Sequence, residues 1–172
     1  MQKGITHILH ETPSKCLTMS SDLYYTMNPV RIYLAEDDED DVLLFAQVLE
    51  DSETSFLLSK ASNGSDLIRD VQTNIAQVPD FIFLDMNMPK KNGFDTLQEL
   101  RHLLPPATQM FMLSTVSDAE SVQRALQLGA NGYISKCIPY PRFLDAIRSI
   151  LTGIQLPLLS LPDNEVLPGQ AS

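Results

Sequence analysis

Four apolar stretches of this chain run straight into residues that can do chemistry. Phe81 to Leu84 ends on Asp85, Val30 to Ala35 on Glu36-Asp37, Gln109 to Leu113 on Ser114, and Gly132-Tyr133-Ile134 leads to Lys136. Three carboxylates and one ammonium around a point suit a divalent cation and an incoming phosphoryl group. Hard cations such as Mg²⁺ take oxygen ligands and usually keep some water. Two carboxylates ~5 Å apart at an effective dielectric of ~20 repel by about 3 kcal/mol, so three jointly ionised ones need a cation. Lys136 supplies one positive charge, and Mg²⁺ is expected to supply the rest.

These residues meet only if the stretches before them are parallel strands sharing one edge. The run before Asp85 is continuously apolar and is bounded by Pro89 and Asn92-Gly93, as expected of a strand buried on both faces. Between the strands lie helical stripes. Val42, Phe45, Ala46 and Leu49 follow the first, and Leu67, Ile68, Val71 and Ile75 follow a second strand, Ser55 to Lys60. Phe94, Leu97, Leu100 and Leu104 follow the third, Val122, Ala125 and Leu126 the fourth, and Phe143, Ile147, Ile150 and Leu151 the fifth. Caps are visible at Asp38, at Asn63-Gly64 and in a Ser117/Glu120 box, and Gly129 is a stop. Five strands alternating with five helices over residues 29 to 152 predict right-handed βαβ units and a parallel sheet covered on both faces. Asp38 to Asp41 are read as cap and first-turn acids, favoured by the helix dipole. That reading leaves Glu36 and Asp37 over.

The composition narrows the class. The chain has 172 residues, 44% apolar and 20% charged, enough for one globular domain. A net charge of -10 argues against nucleic-acid binding, which needs a basic face. Cys16 and Cys137 lie far apart without metal-ligand spacing, which points to reduced thiols in the cytoplasm, and no apolar run approaches a membrane span. Residues 1 to 28 lack periodicity and are expected to form a leader outside the fold, with Met27 a candidate start. Residues 153 to 172 are expected to be a tail or linker remnant. His7, His10 and His102 read as surface residues, and Cys137 as a small space-filler.

The acidic pair after the first strand, LDMNMP around Asp85, MLS at the fourth strand end and GANGYISK before the fifth helix together resemble the receiver domain of bacterial two-component response regulators. The likeness runs from about Val30 to Leu151. It implies a flavodoxin-like fold with strand order 2-1-3-4-5, which sets the first and third strands side by side. It also implies that Asp85 accepts a phosphoryl group from a sensor histidine kinase or a histidine phosphotransfer protein. Asp37 would then bind Mg²⁺ directly, Glu36 nearby or through water, and Asn87 through its backbone carbonyl. Ser114 and Lys136 would contact phosphoryl oxygens, and Tyr133 would turn inward as Ser114 moves. On this likeness the chain is no enzyme beyond promoting its own phosphorylation and dephosphorylation, and it signals to an unknown downstream protein.

Two other classes use similar residues. A phosphatase of the haloacid-dehalogenase type also places an Asp after an apolar strand but wants a second acid two residues on, where Asn87 stands. A receiver-fold scaffold acting without phosphorylation would dispense with Asp85, Asp37 or Lys136, and all three are present. The ending AIRSILTGIQLPLLSLP is similar to the last helix and linker of regulators that carry a helix-turn-helix domain. A stand-alone receiver, a phosphorelay shuttle and a truncated regulator therefore all stay open. The chain departs from the family at Cys137, since receivers usually follow the lysine with a proline whose bond is cis. A cis bond before a non-proline residue costs about 2.5–4 kcal/mol, so the Lys136–Cys137 bond is expected to be trans.

Overall fold

The computed structural model describes residues 6–10, 29–74 and 77–153. Its strands are β1 (Thr6–His10), β2 (Val30–Ala35), β3 (Phe56–Ala61), β4 (Phe81–Asp85), β5 (Gln109–Ser114) and β6 (Gly132–Ser135). Its helices are α1 (Glu39–Asp51), α2 (Gly64–Thr73), α3 (Gly93–Leu103), α4 (Ala119–Gln127) and α5 (Tyr140–Leu151). All strands lie in one sheet, in the order β1-β3-β2-β4-β5-β6. The five strands from β2 to β6 are parallel, in the expected 2-1-3-4-5 order.

Alternation along each strand builds two cores. Ile32, Leu34, Phe83, Phe111 and Ile134 point to the face covered by α1 and α5, where they meet Phe45, Leu49, Phe143 and Ile147. Tyr33, Ala35, Ile82, Leu84 and Met112 point to the other face, under Leu67, Leu97 and Ala125 of α2, α3 and α4. Apolar residues on both faces are what a fully covered parallel sheet requires. At the middle of the first core the Phe83 ring lies 4.8 Å from Phe45 and 5.4 Å from Phe111, centroid to centroid.

Two helix starts bear directly on the site. Asp38 caps α1, accepting from the amides of Asp40 at 2.8 Å and Asp41 at 3.2 Å. Asn92 caps α3, and Gly93 follows it because a Cβ there would stand 2.4 Å from the Asp85 carbonyl. The absent side chain lets α3 begin hard against the end of β4.

Three expectations need correction. Thr6–His10 is not outside the fold but pairs antiparallel with β3, from Thr6 opposite Lys60 to His10 opposite Phe56. Five residues are too few to show a period, and the unpaired edge of β3 offers them a ladder. The cap of α4 is Asp118, which accepts from the Ser121 amide at 2.8 Å, rather than Ser117. The helix begins one residue later, and Asp brings a charge that its dipole favours. Cys137 is exposed, not a space-filler. The expectations for Cys16, Met27 and Ile75, and for the tail from residue 154, fall outside the described residues. No peptide bond among the described residues is cis, so the Lys136–Cys137 bond is trans as expected. No described helix is long and apolar enough to cross a membrane.

Candidate functional site

The register of the sheet brings the predicted residues together. Ala35 of β2 stands opposite Leu84 of β4, so Glu36 and Asp85 leave neighbouring strands side by side. Ser114 stands opposite Ser135, and the Lys136 amide donates to the Ser114 carbonyl at 2.7 Å, which delivers Lys136 to the same edge. One carboxylate oxygen from each of Glu36, Asp37 and Asp85 lies within 4.8 Å of the others. Glu36 and Asp85 are buried and Asp37 is exposed, so the cluster is seated in the sheet and open to solvent on one side.

Asp85 uses its two oxygens differently. Oδ2 accepts from the Asn87 amide at 2.7 Å, and Oδ1 faces the Lys136 ammonium at 2.7 Å. Lys136 also reaches Glu36 Oε2 at 2.5 Å and Asp41 Oδ2 at 2.7 Å. Burial alone would lower the Lys136 pKa, but the hydrogen bonds to Asp41, Asp85 and Glu36 outweigh it and hold the group above its usual range. Burial raises the Glu36 carboxyl, the Lys136 hydrogen bond opposes it and the Asp85 charge reinforces it, so that together they push it up to about 7. Three carboxylates thus share one ammonium with Asp37 close by, and the excess negative charge is oxygen-borne. That donor set fits a hard divalent cation.

Ser114 and Tyr133 sit beside this centre, both buried. Ser114 Oγ accepts from the Val116 amide at 3.0 Å, and the Tyr133 hydroxyl donates to the Val116 carbonyl at 2.5 Å. Met86 Sδ lies 3.8 Å from Ser114 Oγ and 3.7 Å from the Tyr133 hydroxyl. Burial pushes the Tyr133 phenol up. The inward position of Tyr133 is therefore the one seen, tied through Val116 to the loop after β5.

One residue escaped the sequence reading. Asp41 reads in the sequence as a first-turn acid, a place it does occupy, yet its carboxylate is also bound to Lys136. The available signal was its place in the first turn of a helix that starts two residues after the Glu36-Asp37 pair, close to the strand end.

The chain is similar to known proteins in sequence and in fold. Residues 32–148 match the family described as response regulator receiver domain. The chain is 33% identical over 120 residues to protein-glutamate methylesterase/protein-glutamine glutaminase 3 of Burkholderia thailandensis, covering 68% of this chain and 31% of that one. It is 27% identical to the chemotaxis protein CheY of Halobacterium salinarum, covering 72% of this chain and 98% of that one. Among solved structures, the phosphorylated cyanobacterial phytochrome response regulator RcpA superposes with a TM-score of 0.64 at 26% identity, covering 76% of this chain and 99% of that one. The match thus spans about a third of the methylesterase and nearly all of CheY. With sheet order, strand-end residues and family match in agreement, the chain belongs to the response regulator receiver family.

Proposed function

We propose that Asp85 accepts a phosphoryl group from a phosphohistidine on a sensor kinase or a histidine phosphotransfer protein. The proximity of Lys136 to Asp85 beside the three-carboxylate cluster carries this reading. Asp85 Oδ1 attacks phosphorus, the phosphorus–nitrogen bond breaks, and its electron pair stays on the leaving imidazole nitrogen, which takes a proton from solvent. The Asn87 amide holds Oδ2, and Oδ1 becomes the nucleophile as the Lys136 ammonium, 2.7 Å from it, turns to the incoming phosphoryl oxygens. Lys136 meets the charge on the transferring oxygens, and Ser114 hydrogen-bonds one of them. Glu36, Asp37 and Asp85 would hold Mg²⁺, with the Asn87 carbonyl as a further oxygen. When bound, the ion neutralises the crowded carboxylates and the phosphoryl oxygens.

Residues 29–152 form the receiver unit in this reading, and the output is docking of a downstream protein that distinguishes the phosphorylated state. Ser114 and Tyr133 report that state through Val116. The acidic charge supports protein rather than nucleic-acid partners, and two cysteines far apart in sequence support the cytoplasm. Incubation with acetyl phosphate and Mg²⁺ should add one phosphoryl group to the intact mass, labile to hydroxylamine. Chelation of the metal and Asp85→Asn should each abolish it. An equal gain in the Asp85→Asn chain would refute the assignment. No gain in the natural chain would favour a scaffold that acts without phosphorylation.

A further inference from the structure

Lys136 has three N–H donors, and Glu36, Asp41 and Asp85 take them. The three partners are not equivalent. Glu36 and Asp85 belong to the group whose oxygens converge within 4.8 Å, so a cation and a phosphoryl group would compete with Lys136 for them. Asp41 stands outside that group. Its bond to the ammonium is the one that loading of the site leaves in place.

Asp41 is also well placed to hold its partner still. Its backbone belongs to the first turn of α1, where Asp38 accepts its amide, and the next residue, Val42, is buried in the core. Its carboxylate is 35% exposed, and the residue is half-buried where its first-turn neighbours Glu39 and Asp40 are exposed. The backbone of Lys136 is fixed to β5 and its Cys137 amide donates to Ser135 Oγ at 3.2 Å, but the lysine stem itself is long and flexible. A fixed carboxylate at the far end removes that freedom.

We propose that Asp41 is a positioning residue, anchoring the Lys136 ammonium over Asp85 while the cation and phosphoryl group occupy the other carboxylates. The inference rests on Asp85 being the phosphoacceptor, and the test separates the two. The full chain and its Asp41→Ala, Asp41→Asn and Asp41→Glu variants are phosphorylated with acetyl phosphate and Mg²⁺, and rates are read by intact mass. Asp41→Ala and Asp41→Asn should slow the reaction about 3–10-fold, the scale of a lost charge-assisted bond. Mg²⁺ affinity and melting midpoint should stay close to those of the natural chain. Asp41→Glu should recover most of the rate. In a Lys136→Met background the Asp41→Ala change should have no further effect.

An unchanged or faster rate in Asp41→Ala overturns the proposal. So does an equal slowing in the Lys136→Met background, or a slowing matched by weaker Mg²⁺ binding, since either shows a role that does not pass through Lys136. A natural chain that takes up no phosphoryl group at all fails earlier, at Asp85, and removes the premise with it.

Discussion

Asp85 stands among like charges, and its burial makes their repulsion matter. Glu36, Asp37 and Asp41 crowd the same edge, with one ammonium between them all. Each carboxylate ~5 Å from Asp85 repels it by about 3 kcal/mol at an effective dielectric of ~20. Glu36 and Asp37 together thus offset the roughly 6 kcal/mol attraction of the ammonium at 2.7 Å, and the cost of burying the Asp85 charge tips the balance. Asp85→Asn should therefore raise the melting midpoint of the metal-free protein by a few degrees, at roughly 1 kcal/mol. Added Mg²⁺ should shrink that gain, because it relieves the natural cluster more than the substituted one. A lower midpoint for Asp85→Asn in chelator would show that the Lys136 pair outweighs the crowding. At this scale Glu36, Asp37, Asp85, Ser114 and Lys136 were legible because each directly follows an apolar run. Asp41 was not, because a first-turn acid satisfies the helix and gives no sign of a second partner 95 residues away.

Helices α1 and α5 are joined at their outer rims by one hydrogen bond whose strength depends on pH. The Tyr140 hydroxyl donates to Asp51 Oδ2 at 2.6 Å, and Arg148 donates to the Asp51 carbonyl. The bond to Asp51 pushes the Tyr140 phenol up to about 12, and the same bond holds the Asp51 carboxyl below its usual range. The phenol keeps its proton longer in the folded chain, so its contribution is complete below the ordinary tyrosine value of about 10 and fades as pH climbs toward 12. The carboxyl contributes fully above the ordinary aspartate value of about 4 and fades as pH falls below it. Tyr140→Phe should lower the midpoint by a constant amount between those limits, and the gap should close at both ends. A gap that persists at alkaline pH would mean that the phenol acts through packing alone. Element boundaries followed the apolar stripes closely, while the cap of α4 moved by one residue because Ser117 and Asp118 are both good caps and only the backbone path chooses. The trans bond after Lys136 was legible because the cost of the alternative is intrinsic to the peptide.

The whole sheet was legible in its parallel part and not at its rim. Alternating strands and helices prescribe the order of β2 to β6, whereas β1 is five residues separated from β3 by most of the leader and two elements of the domain. Its pairing covers ladder groups that β3 would otherwise present to another chain. A protein begun at Met27 should consequently melt a few degrees lower and self-associate more readily at high concentration, by scanning calorimetry and light scattering. An unchanged midpoint and a strictly monomeric species would show that β1 adds nothing to the fold. The reach of Lys136 has a consequence for the timing of synthesis. Its bond to Glu36 joins residues 100 positions apart, and Asp85 lies between them. A ribosome working at roughly 5–20 residues per second finishes Asp85 about 3–10 s before it makes Lys136. Throughout that interval the nascent chain carries its acids without their ammonium, so the charge cluster is completed only after nearly the entire domain has been made.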